Sequence, residues 1–218
     1  MKLKVCGMHH NTLEVASLTP DYLGFIFWED SPRHYGRKEI PELPTEITAV
    51  GVFVDAPMEF VLGRVRDFGF GAVQLHGKES PKYCRDLKKN LQGLPPVELI
   101  KAFPVGDTFD FTCLDPYLAV TDYFMFDTKG ILPGGNSRTF DWTLLGEYPF
   151  EHPFFLSGGI AEAHCEKLLD FVRNPQSRFC HAIDVNSAFE TRPGEKDTYA
   201  LGRFLQCDFW KEAGHPNI

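Results

Sequence analysis

The sequence predicts an α/β fold, a single-domain (β/α)8 TIM barrel of eight parallel strands. Three observations carry this expectation. Eight short apolar runs recur along the 218 residues at a spacing of about 25 residues, as a βα repeat requires. The runs are nearly continuous rather than alternating, which suits parallel strands covered on both faces. The last two end in small polar residues, Ser157-Gly158-Gly159 and Asn186-Ser187, and the loops after strands 7 and 8 of such a barrel commonly form a phosphate site. No linker or shift in composition divides the chain, so residues 1–218 read as one domain. An open doubly wound sheet is the alternative architecture, and eight short units suit closure better.

The elements follow in order. Residues 3–6 read as the first strand, and Asn11 as the N-cap of a helix to Leu18, with Glu14 placed for a capping box. The second strand, 22–27, leads into the polar loop 29–35 and a weakly helical segment interrupted by Pro41 and Pro44. Strand three spans 47–54, and Pro57 suits the first turn of a helix to Phe68. Strand four spans 72–76, and Ser80-Pro81 opens a helix to about Leu91. Strand five is 97–103; the stretch holding Leu114 and Tyr117 stands where a fifth helix belongs. Strand six, 122–127, runs into a long Gly-rich loop, and Asp141 caps a short helix. Strand seven is 154–156, with a helix over 161–171. Strand eight is 181–185, with a closing helix over 196–209.

Composition bounds the function. A hydrophobic content of 43% and a charged content of 24% are ordinary for a globular protein, and no apolar run is long enough to span a bilayer. The N-terminus enters a strand without a signal-like apolar region. The six cysteines, at 6, 84, 113, 165, 180 and 207, form no C-x-x-C pair. Reduced thiols in a cytoplasm are therefore expected, rather than a disulfide framework or a zinc site. A net charge of −8 argues against general nucleic-acid binding, and means that an anionic ligand must be held by local N–H groups and selected cations. The expected partner is a small-molecule substrate, with no nucleic acid or membrane, on a monomer or homodimer.

Chemistry in such a barrel sits at the carboxyl ends of the strands. Those positions hold Cys6, Arg33 just beyond strand two, His76, Asp127, the Gly158-Gly159 pair, Asp184, and Asn186-Ser187. Each also has a plainly structural reading. A strand cysteine is commonly an inert core residue, a histidine before glycine a satisfied loop residue, a strand-ending aspartate a cap, and Arg33 a solvated loop charge. Convergence on one rim weakens all of these readings together.

Several blocks then form a recognisable series: Lys4-Val5-Cys6-Gly7-Met8, Gly24-Phe25-Ile26-Phe27 with Ser31-Pro32-Arg33, Val50-Gly51-Val52-Phe53-Val54, Val73-Gln74-Leu75-His76-Gly77, Phe126-Asp127-Thr128, Gly134-Gly135 with Phe140-Asp141-Trp142, Ser157-Gly158-Gly159, and Asp184-Val185-Asn186-Ser187 with Glu190, Pro193-Gly194 and Lys196-Asp197. In this order they resemble the phosphoribosylanthranilate isomerase family from the first strand to the last helix. The resemblance implies a step of tryptophan biosynthesis, the Amadori rearrangement of N-(5-phosphoribosyl)anthranilate to 1-(2-carboxyphenylamino)-1-deoxyribulose 5-phosphate, without metal or organic cofactor. It implies Cys6 as the general base at C2 of the ribose and Asp127 as the general acid at the ring oxygen. It implies Arg33 facing the anthranilate carboxylate, and the glycines after strand seven with the segment after Val185 as the phosphate cup. His76 and Asp184 match the family at the rim. Three departures stand out: Gly134-Gly135-Asn136-Ser137 replaces Gly-Gly-Ser/Thr-Gly, Ala188 stands where glycine is frequent, and Ser157 where alanine is common.

The residues suit that chemistry independently. Ring opening needs an acid and the shift of one proton needs a base; no G-x-G-x-x-G or P-loop signals a redox or nucleotide cofactor. A backbone N–H cup and an arginine fork match a substrate with a phosphate at one end and a carboxylate at the other. Two other readings compete. A metal-dependent sugar-phosphate epimerase would need several His and carboxylate ligands converging at strand ends. A non-catalytic sugar-phosphate binding protein would keep the cup without needing both Cys6 and Asp127.

Overall fold

The computed structural model describes residues 1–130 and 139–215. Eight parallel strands close a barrel in chain order: β1 (Lys2–Cys6), β2 (Tyr22–Ile26), β3 (Thr48–Phe53), β4 (Ala72–Leu75), β5 (Glu98–Val105), β6 (Tyr123–Thr128), β7 (Phe154–Leu156) and β8 (Cys180–Val185). Closure comes from β8 pairing with β1, which sets Lys4 opposite Asp184. A two-stranded antiparallel ribbon, β9 (Glu190–Arg192) and β10 (Glu195–Lys196), follows β8.

The helices are α1 (Thr12–Ala16), α2 (Met58–Phe68), α3 (Pro81–Asn90), α4 (Cys165–Val172), α5 (Thr198–Leu205) and α6 (Phe209–Glu212). Helix α2 buries Val61, Leu62, Val65 and Phe68 against the sheet, a spacing of three and four residues that puts them on one face. The start of α3 is capped as expected, with the Tyr83 N–H donating to Ser80 Oγ at 3.2 Å. Alternation within each strand sends one set of side chains outward to the helices, including Leu3, Val5, Phe25, Leu75, Phe124, Phe126 and Phe154. The other set fills the barrel, with Val50, Val52, Ala72, Ile100, Met125, Phe155 and Ala182 at its centre.

Local expectations are corrected in several places. No helix forms between β2 and β3, because Pro41 and Pro44 lack N–H donors and disfavour helical backbone in the residues before them. Phe111–Tyr117 is a 3₁₀ helix with Pro116 inside it. The capping box at Asn11 is absent. Its side chain is taken up by Lys196, accepting from the Lys196 N–H at 3.0 Å and donating to its carbonyl at 2.8 Å. The closing helix does not begin at Lys196, which belongs to β10; Asp197 caps α5 instead, accepting from the Ala200 N–H at 2.9 Å. Six reduced thiols are not found either. Cys165 and Cys207, 42 positions apart, are joined in a disulfide with Cα atoms 5.9 Å apart; packing of the elements after β7 and β8 makes this contact, which no local spacing announces. Among the described residues no helix is long and apolar enough to cross a membrane.

The amino end of the barrel is closed by a polar cluster. The hydroxyls of Tyr22 and Tyr123 both donate to Glu98, at 3.1 Å each, and His181 Nε2 stands 2.9 Å from the Tyr22 oxygen. Burial, reinforced by Lys2, holds the His181 pKa down from 6.5 to about 4. The unfolded chain therefore takes up this proton more readily than the folded one. Stability present above pH 6.5 should be lost as pH falls toward 4. In His181→Gln, which retains a hydrogen-bonding partner for Tyr22, melting temperature should fall less over that interval; a slope equal to wild type would exonerate His181.

Candidate active site

The carboxyl ends of the strands surround one cleft, and all nine residues expected from the sequence line it: Cys6, Arg33, His76, Asp127, Gly158, Gly159, Asp184, Asn186 and Ser187. Strand alternation explains the first of these. Lys4 and Cys6, two apart on β1, share its inward face. Cys6 is 4% exposed, seated against Gly24 of β2, where a Cβ would stand 2.8 Å from the sulfur. Beneath it, Lys4 Nζ meets Asp184 Oδ1 at 2.5 Å with both side chains buried, and Ser157 Oγ donates to Asp184 Oδ2 at 2.8 Å. Burial pushes the Cys6 pKa above the ordinary thiol value, and the Lys4 ammonium pulls against it. Burial would also strip the proton from Lys4, but Asp184 and Cys6 together keep that pKa raised.

Across the mouth, Asp127 comes from β6. Its Oδ2 lies 3.1 Å from His76 Nε2, and His76 Nδ1 lies 3.0 Å from Gln74 Nε2 on β4. Among the described residues Asp127 Oδ1 has no hydrogen-bond partner. One wall between the two reacting candidates is apolar, formed by Ile26, Trp28, Val52 and Val54.

Arg33 is forked onto Glu190, with Nε 2.9 Å from both carboxylate oxygens and Nη2 2.7 Å from Oε2. Glu190 also accepts from Lys196 Nζ at 2.7 Å, and Lys196 donates to Asn186 Oδ1 at 2.8 Å. Burial lowers the Lys196 pKa to about 8 despite Glu190 beside it. Burial alone would raise that of Glu190, but Arg33 and Lys196 together hold it below the usual carboxylate range. Arg33 Nη1 has no partner among the described residues.

The phosphate-cup candidates lie opposite. Gly158 and Gly159 have φ of 95° and 69°, which turn the chain away from β7, and their N–H groups donate to no backbone carbonyl among the described residues. Asn186, Ser187 and Ala188 complete this side. The loop departure at Gly134-Gly135-Asn136-Ser137 lies outside the described residues. No group of three or more His, Cys, Asp or Glu side chains is placed to hold a metal ion among the described residues.

A model of the family N-(5'-phosphoribosyl)anthranilate isomerase matches residues 3–207. The chain belongs to this family. An N-(5'-phosphoribosyl)anthranilate isomerase from Parabacteroides distasonis is 40% identical over 213 residues, covering 94% of this chain and 92% of that one. The crystal structure of phosphoribosyl anthranilate isomerase from Thermus thermophilus superposes with a TM-score of 0.76 at 26% identity, over 98% of this chain and 99% of that one. Another solved phosphoribosyl anthranilate isomerase, in complex with reduced 1-(o-carboxyphenylamino)-1-deoxyribulose 5-phosphate, has a TM-score of 0.70 at 27% identity, over 95% and 97% of the two chains.

Membership of the isomerase family accounts for the order of the blocks, yet four participants in this cleft carried no role in the sequence reading. Lys4 and Gln74 had a signal: a polar residue at an inward position of an apolar strand needs a partner. Glu190 and Lys196 lie in a ribbon that local periodicity does not announce. Ser157 is explained, since its hydroxyl holds the second oxygen of Asp184, a bond alanine cannot make.

Gly158 is demanded by its neighbours: a Cβ there would stand 2.2 Å from Thr128 Oγ1 and 2.3 Å from the Thr128 nitrogen. Gly158→Ala should destabilise the fold by about 1–3 kcal/mol and weaken a phosphate-bearing inhibitor. Chemical unfolding and inhibitor titration check this, and wild-type values in both would refute it.

Proposed function

We propose that this cleft performs the Amadori rearrangement of N-(5-phosphoribosyl)anthranilate to 1-(2-carboxyphenylamino)-1-deoxyribulose 5-phosphate, in a single barrel domain of residues 1–218. The observation that carries the reading is the placement of Cys6 and Asp127 on β1 and β6, on opposite sides of one closed barrel mouth. The substrate phosphate would lie against the N–H groups of Gly158, Gly159 and Ser187. Its anthranilate ring would lie against Ile26, Trp28, Val52 and Val54, with the ring carboxylate toward Arg33 Nη1. The solved relative that binds a reduced product analogue supports a site of this size and charge.

Asp127, protonated on Oδ1, gives its proton to the ribose ring oxygen. The C1–O bond breaks as the anilino nitrogen lone pair forms a C1=N iminium. Cys6 as thiolate then removes the proton from C2. The released electron pair forms C1=C2 and the C1=N pair returns to nitrogen, giving an enolamine. Protonation at C1 and loss of the C2 hydroxyl proton yield the ketone. Lys4 stabilises the thiolate of Cys6 by charge, and Asp184 with Ser157 holds Lys4 in place.

Loss of anthranilate fluorescence on the phosphoribosyl substrate tests the activity directly. General acid or base catalysis contributes about 10²–10⁴-fold, so folded Cys6→Ala and Asp127→Asn should each lose at least about a hundredfold in kcat. Near wild-type turnover in either, with chemistry rate-limiting, would remove that residue from its role.

Because catalysis needs Cys6 as thiolate and Asp127 with its proton at the same time, kcat/KM should pass through a maximum in pH. Burial raises the Cys6 pKa, so Lys4→Met, which removes the charge favouring the thiolate, should lower the height of that maximum. A maximum of wild-type height in folded Lys4→Met would count against Cys6 as the base.

Arg33→Met should lower kcat/KM at least about tenfold, the scale of a lost charge-assisted hydrogen bond, and should also lower the melting temperature, because it takes a partner from the buried Glu190 carboxylate. Unchanged kcat/KM would make Arg33 a bystander.

A further inference from the structure

Gln74 is out of pattern on its strand. It faces inward from β4, paired in register between Val52 of β3 and Ile100 of β5, where its neighbours are apolar. It is 1% exposed. Its Nε2 lies 3.0 Å from His76 Nδ1, and its Oε1 is buried with no hydrogen-bond partner among the described residues. An orphaned amide oxygen in a core is costly, and a native fold that keeps one has a use for it. This oxygen belongs to a side chain that lines the cleft between Cys6 and Asp127.

We propose that Gln74 is both a positioning residue for Asp127 and the acceptor for a hydroxyl of the ribosyl group. The amide NH2 can only donate, so His76 Nδ1 must accept and the ring proton resides on Nε2. Nε2–H then donates to Asp127 Oδ2 across 3.1 Å. With Oδ2 occupied as an acceptor, the acidic proton of Asp127 is confined to Oδ1. The same amide leaves its buried Oε1 unpaired among the described residues, an acceptor for a sugar hydroxyl in the cleft that Gln74 lines. One side chain thereby aims the acid and reads the polar face of the sugar. The inference about the sugar rests on the isomerase reading above; the inference about the histidine does not.

Two-bond ¹H–¹⁵N correlation spectra of histidine-labelled protein report the tautomer, with the His76 signal assigned by its loss in His76→Asn. The wild type should show Nδ1 bare and Nε2 protonated. Gln74→Met should lose this lock. Gln74→Glu, which can only accept, should place a proton on Nδ1 and serves if the methionine variant does not fold. A wild-type ring protonated on Nδ1, or a pattern unchanged in the variant that folds, overturns the relay. In kinetics, Gln74→Met should weaken a reduced product analogue by about three- to tenfold, the scale of one neutral hydrogen bond, and lower kcat as well. The Gln74→Met/His76→Asn double variant should have a kcat no lower than the worse single. Multiplicative losses in kcat, or unchanged analogue affinity, refute the corresponding half. Failure of wild-type protein to turn over phosphoribosylanthranilate would instead overturn the isomerase reading and leave the tautomer result standing.

Discussion

The Lys4–Asp184 pair is the contact on which the barrel mouth depends. It joins the first strand to the last where the sheet closes, in direct register and away from solvent. A buried ion pair is a poor source of net stability, because both charges lose hydration. Removing one partner, however, leaves the other charge stranded, so the geometry is strongly held. That rigidity passes to Ser157 on one side and to Cys6 above. A thiol over a fixed ammonium can lose its proton in a pocket whose burial otherwise opposes it.

A second chain of charges organises the loops in the same way. Arg33 follows β2, Glu190 and Lys196 belong to the ribbon after β8, Asn186 directly follows β8, and Asn11 precedes α1. Bonds from Arg33 to Glu190, from Lys196 to Glu190 and Asn186, and between Asn11 and the Lys196 backbone link them all. Loops of a barrel are separate excursions with no sheet ladder between them. Here buried charge–charge contacts stand in for that ladder, so Arg33 and Asn186 share one support. The cost is a buried lysine whose proton is held only by its partners.

Much of the architecture was legible because the information was local. Continuous apolar runs such as Tyr123-Phe124-Met125-Phe126, recurring at a βα spacing, read as strands buried on both faces, and Ser80-Pro81 announces the start of α3. The candidate rim was legible for the same reason: once the strands are located, their carboxyl ends follow. What misled was also local. Asn11 has the chemistry of a cap, yet spends its amide on Lys196, because a neighbour distant in sequence offers two backbone partners. Cys165 and Cys207 look unrelated along the chain and meet only through packing.

By itself the sequence determined the eight-strand α/β order, the family through its ordered blocks, and the set of side chains able to stand on the rim, because hydrophobic periodicity and glycine placement act within a few residues. Only the tertiary structure decided the pairings: Lys4 under Cys6 with Asp184, Gln74 through His76 to Asp127, and Arg33 clasped by Glu190. Which charge meets which depends on strand register and barrel closure, and those are set by contacts spanning up to 180 positions, beyond the reach of any local pattern.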